Sequence, residues 1–141
     1  MTLRGLDIDW YQKQKEFRGR LEIVLTVFYA WSKNDSYCQP LFHKALMNLE
    51  PVSFEDEGRL DFVYVGKGLR IKRLPNAYQK QYCLLAAVNF TIRQWWGYLN
   101  KIVTIKRMNN LCVYLEKIAA KGLDAYEVKG SVSRGYRLKE K

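Results

Sequence analysis

Two hydrophobic periodicities follow one another in the last third of the chain, and together they restrict the fold most. Between Thr104 and Ala120, apolar residues recur at intervals of three and four, the period of a helix with one buried side. Lys121 and Gly122 then supply a basic last turn and a helix stop. Beyond them, residues 125–130 and 134–138 have the composition of strands on either side of a polar turn. The sequence therefore predicts a helix followed by a β-hairpin. The predicted buried stripe of the helix consists of Ile105, Met108, Cys112, Leu115 and Ala119.

The opposite side of this helix carries long polar side chains. Lys106 and Arg107 can bind phosphate or guanine, and Asn109 or Asn110 can pair with an adenine edge. A helix of this kind, followed by a basic hairpin, is suited to the major groove of duplex DNA and its neighbouring phosphates. The predicted DNA-contact residues are Lys106, Arg107, Asn109, Asn110, Val113, Lys117, Lys129, Ser133 and Arg134.

These residues also carry a family resemblance. The segment VKGSVSRGYRL, residues 128–138, resembles the wing of OmpR/PhoB-type winged-helix domains, nearest to the ToxR-like branch. Residues 112–119 are similar to the end of that family's recognition helix, but Glu116-Lys117 stands where the family usually has a basic pair. Residues 52–76 resemble its N-terminal sheet and the entry into its first helix. The resemblance implies an α+β winged helix, with a small N-terminal antiparallel sheet, a three-helix core and a C-terminal wing, that regulates transcription in a bacterial cytoplasm.

Charge is distributed unevenly along the 141 residues, whose net charge is +10. Residues 1–66 hold eight Lys/Arg against ten Asp/Glu, a net charge of −2. Residues 67–141 hold sixteen Lys/Arg against four Asp/Glu, a net charge of +12. Such an excess favours a polyanionic partner. Solvated lysines on an ordinary surface would explain the charge equally well, but the helix and hairpin favour nucleic acid.

The first fifty residues have no counterpart in the resemblance. Asp9 is predicted to cap a first helix, and the apolar residues 21–31 are interpreted as its continuation rather than as a strand. Residues 40–49 predict a second helix with Pro40 in its first turn. We therefore interpret residues 1–50 as an N-terminal helical extension and residues 51–141 as the winged-helix domain. The extension either provides a dimer or partner surface or caps the small sheet.

The middle of the chain predicts a hairpin and a buried helix. Residues 60–72 alternate around a Gly-Lys-Gly turn, which is typical of two antiparallel strands. Residues 76–92 follow the helical period, with Asn76 at the start. The tryptophan pair at 95–96 could stack on nucleobases, but such a pair more often fills a core. Residues 98–103 predict a short second helix or a turn.

Motifs for catalysis or metal binding are absent from the sequence. His43 is the only histidine, and a lone histidine cannot anchor the usual zinc sites. Cys38, Cys83 and Cys112 are an odd number with no close pair, so no disulfide framework is expected. Cys83 and Cys112 fall on apolar helical stripes, which predicts buried, reduced thiols. No phosphate-binding or nucleophile motif occurs. We therefore predict a non-enzyme without cofactors, located in the cytoplasm, with no signal peptide and no membrane span.

Three functions stay open on the sequence alone. The first is a sequence-specific, double-stranded DNA-binding transcriptional regulator, monomeric or homodimeric, with a recognition helix at about 104–120 and a wing at about 126–138. The second is a protein-interaction module on a winged-helix scaffold that binds RNA polymerase or another regulator, because fold alone does not settle function. The third is an RNA binder that uses exposed aromatic and basic residues.

Overall fold

The computed structural model describes residues 4–51, 62–65, 68–71, 79–131 and 135–141. These residues form four helices and an antiparallel sheet, so the chain has the α+β class that its sequence predicts. A single 3₁₀ turn, Leu123–Ala125, joins the last helix to the third strand. In chain order the elements are α1 (Arg4–Trp31), α2 (Cys38–Asn48), β1 (Phe62–Val65), β2 (Gly68–Ile71), α3 (Gln79–Leu99), α4 (Ile105–Lys121), β3 (Tyr126–Ser131) and β4 (Gly135–Glu140).

The first helix is longer than predicted. It begins by Arg4, so Asp9 lies inside α1, exposed to water, and is not its cap. An aspartate remains compatible with a helix interior when its side chain points to solvent, so the capping signal was ambiguous. Residues 21–31 continue the helix as predicted. Phe17, Leu21 and Phe28 are buried at helical spacing, which places one side of α1 in the core.

The second helix begins two residues before Pro40 and ends where the sequence indicates. Asp35, which is buried, accepts hydrogen bonds at its Oδ1 from the backbone N–H of Tyr37 (3.0 Å) and Cys38 (2.8 Å). At the other end, Leu49 has a φ of 48° and donates its N–H to Ala45 O. The predicted buried stripe is confirmed, since Leu41, Ala45 and Leu49 are all buried.

The third helix runs unbroken to Leu99, so residues 98–103 form no separate second helix. Its buried residues keep the helical period beyond position 92, the last position of the predicted helix, because Trp95 and Tyr98 are also buried. A tight turn follows, in which Lys101 has a φ of 61°. Gly97 O accepts hydrogen bonds from the N–H groups of Ile102 (2.8 Å) and Val103 (3.2 Å). The chain is thereby turned from α3 into α4.

The two tryptophans at the end of α3 have different environments. Trp95 is buried and its ring lies 6.1 Å from that of Tyr98, as expected of a core residue. Trp96 is 41% exposed, and its indole N–H donates to Leu49 O at 2.9 Å. The core interpretation is therefore correct for Trp95 only. Trp96 instead links α3 to the C-terminal end of α2.

The sheet joins two hairpins in the order β1-β2-β4-β3, and all its pairs are antiparallel. Ile71 of β2 pairs with Tyr136 of β4, which connects the N-terminal hairpin to the C-terminal one. Buried Tyr126 and Leu138 face α3, against which the sheet packs. The antiparallel strands of both predicted hairpins are confirmed, as β1 with β2 and β3 with β4. The Gly-Lys-Gly turn, whose first two residues are 66 and 67, and the predicted helix start at Asn76 lie outside the described residues.

One hydrophobic cluster contains residues from all four helices and from β3 and β4. Helix α1 packs against α2 and α4, and α2 also packs against α3. Helices α1 and α2 are therefore buried in the same core as α4. The division into an extension and a separate domain stays a prediction.

Candidate nucleic-acid interface

Local signals determine both ends of α4. The hydroxyl of Thr104 accepts a hydrogen bond from Arg107 N at 3.1 Å, which satisfies one of the free N–H groups of the first turn. After Lys121, Gly122 takes a φ of 86° and its N–H donates to Ile118 O at 2.9 Å. A positive φ suits glycine because it has no Cβ. The predicted bounds are therefore confirmed to within a residue.

The buried side of α4 differs from the predicted stripe at its edges. Met108, Cys112 and Leu115 are buried as predicted. Ile105 is 46% exposed and Ala119 only half-buried, whereas Ile118, which the prediction omitted, is fully buried. The helix is rotated toward Ile118 because it packs on α3 as well as α1. The hydrophobic period of the sequence does not predict this rotation, because the rotation depends on where the neighbouring helices lie.

Four of the predicted contact residues form a continuous exposed line along α4. Lys106, Asn110, Val113 and Lys117 lie at i, i+4, i+7 and i+11, and each is exposed. We call this line the open stripe. Within the described part of the chain, neither lysine has an acidic partner. The open stripe therefore presents two uncompensated positive charges with an amide and an aliphatic side chain between them.

One flank of the open stripe is tied to α1 by Arg20. The guanidinium donates from Nε to Glu116 Oε2 (2.8 Å), from Nη2 to Glu116 Oε1 (2.6 Å) and from Nη1 to Asn109 Oδ1 (3.0 Å). The same hydrogen bond lowers the pKa of Glu116 and raises that of Arg20. Glu116, which stands where the resemblance expects a basic residue, thus has a structural partner. Sequence reasoning missed it because the two residues are 96 positions apart.

The other flank is occupied by Arg107. Its guanidinium lies 5.7 Å from the centre of the Phe90 ring, at cation–π distance, while the residue stays exposed. Asn109 is also exposed, although Arg20 occupies its carbonyl oxygen. All six predicted contact residues of α4 therefore reach the surface, four on the open stripe and two on its flanks.

The C-terminal hairpin carries further basic residues on its outer side. Lys129 is exposed and pairs in register with Arg137, and its ammonium lies 3.3 Å from the carboxylate of Glu127. Arg137 and Lys139, which the sequence analysis did not select, are also exposed. Their alternation with Tyr136 and Leu138, which face the core, was the signal that could have found them. Ser133 and Arg134 lie outside the described residues.

The helix and the hairpin are joined at their shared base. The ammonium of Lys121 forms an ion pair with Glu140 near the end of β4, and this hydrogen bond raises the pKa of Lys121. Lys80 of α3 donates to Leu123 O at 3.2 Å, between the helix and the hairpin. These contacts connect α4 to the sheet beside it, so the open stripe and the hairpin belong to one packed unit.

Within the described ranges, no group of three His, Cys, Asp or Glu residues is close enough to hold a metal ion. All three cysteines are free and buried, as predicted for Cys83 and Cys112, and burial raises the pKa of Cys83 to about 12 and that of Cys112 to about 11. His43 is exposed, with its ring 5.5 Å from that of Tyr29.

Across the described ranges, no helix has both the length and the apolar character that a bilayer span requires. Searches of protein-family models, curated proteins and solved structures found no significant match to the chain.

Proposed function

We propose that this protein binds double-stranded DNA and regulates transcription, with the open stripe of α4 in the major groove and the C-terminal hairpin against the adjacent backbone. The observation that carries the proposal is the exposure of Lys106, Asn110 and Lys117 along one side of a 17-residue helix. A B-DNA major groove, about 12 Å wide, admits one α-helix.

The connection between α3 and α4 supports this assignment. The two helices are joined by a tight turn at residues 100–104, and a hairpin follows α4 after one 3₁₀ turn. A winged helix has this order of helix, turn, helix and hairpin. We include the winged-helix fold in the proposal. The second helix then enters the groove while the hairpin approaches the backbone beside it.

The charges suit a backbone partner as well. Lys106 and Lys117 have no acidic partner within the described ranges, and Arg137 and Lys139 are exposed on the hairpin. Lysine and arginine supply most phosphate contacts in protein–DNA complexes, and these contacts position the protein without reading sequence. A binding site of this kind would lie on the strongly basic half of the chain.

The test is the salt dependence of binding to a duplex. In a filter-binding assay at several salt concentrations, the parent is expected to bind duplex DNA with a steep negative slope of log K against log salt. The double variant Lys106→Ala/Lys117→Ala should bind more weakly, with a slope smaller by about 1.8, because about 0.9 is lost per phosphate contact.

A matched control comes from α2 and the turn before it. Lys33 and Lys44 are also exposed, and α2 packs against α1 and α3 instead of flanking the open stripe. Lys33→Ala/Lys44→Ala removes the same net charge and should leave the slope close to that of the parent. Equal slopes for both double variants, or stronger binding to single strands or RNA than to duplex, would contradict the proposal.

A protein-interaction module that binds RNA polymerase or another regulator is the second candidate. The observation that favours it is the exposure of apolar side chains at the start of α4, where Ile102 is 80% and Ile105 is 46% exposed. The two isoleucines are three positions apart in the chain, and contiguous exposed apolar patches are typical of protein contacts. A partner recovered by the parent but lost by Ile102→Ser/Ile105→Ser, together with no duplex preference, would support this candidate.

A further inference from the structure

We infer that Asn110 and Val113 are the base-reading pair of α4 and that they select adenine and a thymine methyl group in the major groove. This inference rests on the proposed function and deepens it. It assigns sequence recognition to the middle of the open stripe and excludes the neighbouring Asn109, which has the same side chain and is also exposed.

Asn109 is less suited to reading adenine because its amide is hydrogen-bonded toward α1. A bidentate contact with adenine requires the amide oxygen to accept from N6 and the amide nitrogen to donate to N7. In Asn109, Oδ1 already accepts from Arg20 Nη1 at 3.0 Å. Two further hydrogen bonds from Arg20 to Glu116 keep the guanidinium beside Asn109. The bond directs the Asn109 amide toward α1 and away from the groove.

The amide of Asn110, in contrast, is not held by a neighbouring helix within the described ranges. It is exposed near the middle of the open stripe, and its amide makes no hydrogen bond to a described side chain or backbone group. Both the donor and the acceptor of the amide are therefore available together. Val113, one turn further along the same side, is 37% exposed and presents its methyl groups next to that amide.

The two side chains together match one combination of bases. Adenine shows the acceptor N7 and the donor N6 that an asparagine amide complements, whereas guanine shows two acceptors in the major groove. Thymine is the only standard base with a methyl group there, and valine is suited to contact it. An adenine with a nearby thymine methyl is therefore the pattern that Asn110 and Val113 select.

The lysines of the open stripe complete the arrangement. Lys106 lies four residues before Asn110 and Lys117 seven residues after it. At a rise of about 1.5 Å per residue, their Cα atoms are about 6 Å and about 10 Å from that of Asn110 along the axis. Long side chains at these distances reach the phosphates on either side of the read bases. They anchor the helix and add no sequence preference.

The experiment combines base analogues with protein variants. The parent first selects its preferred sites from a random duplex pool. In the selected duplex, each adenine is then replaced in turn by 7-deazaadenine, which lacks the N7 acceptor, and each thymine by uracil, which lacks the methyl group. Dissociation constants are measured for the parent, Asn110→Ala, Val113→Ala and the control Asn109→Ala.

At one adenine, the 7-deaza replacement should weaken parent binding by at least about fivefold, which is the low end of a bidentate base contact. Asn110→Ala should bind the unmodified duplex and the 7-deazaadenine duplex with equal affinity. At one thymine, the uracil replacement should weaken the parent by roughly three- to fourfold, the effect of one buried methyl group. Val113→Ala should be insensitive to that change, and Asn109→Ala should respond to both analogues as the parent does.

The outcomes separate the two levels of the proposal. The assignment of the reading pair is wrong if Asn109→Ala loses the response to 7-deazaadenine while Asn110→Ala keeps it. It is also wrong if no analogue changes the affinity of the parent. In both cases the proposal of duplex binding is unaffected. If the parent binds no duplex at all, the proposed function itself is overturned, and the reading pair with it. Far-ultraviolet circular dichroism of each variant verifies that the helices remain folded.

Discussion

At the scale of single residues, Gly97 is where the turn between α3 and α4 has no room for a side chain. A Cβ at this position would lie 2.5 Å from Cγ2 of Val103. We expect Gly97→Ala to lower the free energy of unfolding by about 1–3 kcal/mol, because the valine or the turn must shift to accommodate the methyl group. Urea denaturation monitored by circular dichroism measures the change.

Gly19 is the matched control, because a Cβ there would meet no atom within 4 Å. It lies within α1, where alanine stabilises a helix by about 0.5–1 kcal/mol relative to glycine. Gly19→Ala should therefore raise the free energy of unfolding. A gain of stability at both glycines would show that the turn accepts a methyl group and that Gly97 is not constrained.

Tyr98 is a buried aromatic residue whose hydroxyl has no hydrogen-bond partner among the described residues. Its ring packs edge-on to Phe17 at 5.3 Å and stacks on Trp10 at 6.0 Å, and burial raises the pKa of the hydroxyl. Tyr98→Phe removes an unpaired polar group and keeps the ring. Thermal denaturation should show unchanged stability or a gain of about 1 kcal/mol.

Tyr98→Ala is the comparison that tests the ring itself. Loss of a buried aromatic ring costs about 3–5 kcal/mol because the cavity is only partly refilled. A loss of more than about 1 kcal/mol in Tyr98→Phe would instead mean that the hydroxyl makes a bond to the protein. The two variants thus distinguish packing from hydrogen bonding at the contact between α1 and α3.

At the scale of elements, the contact between α1 and α4 has a predictable pH dependence. Arg20 lowers the pKa of Glu116, so the folded state binds this proton more weakly than the unfolded state. The contribution to stability is complete above the ordinary value of 4.5 and is lost as the pH falls through the lowered value. The pair is partly exposed, so we expect a contribution of about 0.5–1 kcal/mol.

The measurement is the stability difference between the parent and Glu116→Gln by chemical denaturation. The difference should be present above the ordinary value of 4.5 and shrink as the pH falls through the lowered pKa and the carboxylate becomes protonated. Glu50→Gln is the control, because Glu50 is exposed and has no basic partner in the described part of the chain. A pH-independent difference for Glu116→Gln would contradict the role of its charge.

The elements also show which sequence signals are reliable. Thr104 and Gly122 act on the backbone within four residues, so the ends of α4 were predictable. Asp9 carried the same type of signal but lies inside α1, because the residues before it continue the helix. The predicted helical pattern stopped at residue 92 and a short helix or turn was expected at 98–103, whereas α3 continues unbroken to Leu99. A local signal thus predicts a helix end only where the neighbouring segment does not extend the helix.

At the scale of the whole molecule, residues 1–50 contribute to the only hydrophobic cluster found among the described residues. Phe17, Phe28 and Phe42 are almost completely buried in the same cluster as Leu85 and Leu115. Deleting residues 1–50 would expose the surfaces of α3 and α4 that these side chains cover. We expect the remaining chain to lose its cooperative unfolding transition in differential scanning calorimetry.

The outcome also tests the predicted division of the chain into an extension, residues 1–50, and a separate domain, residues 51–141. A deleted chain that unfolds cooperatively and keeps native helix content would show that residues 51–141 fold independently, with an accessory extension. Amide hydrogen exchange of the full chain is the complementary measurement. Similar protection of Leu25 and Leu85, from α1 and α3, is expected if one cooperative unit contains both helices.

The sequence by itself determined the α+β class, the helical period of α4, the two hairpins and the positive charge of the second half. These features depend on residues close together in the chain, whose spacing and backbone preferences are visible in the letters. The tertiary structure decided that Arg20 donates hydrogen bonds to Asn109 and Glu116, that Ile118 is buried, and that all four helices share one core. Those features depend on groups up to 96 positions apart, and only folding brings them into contact.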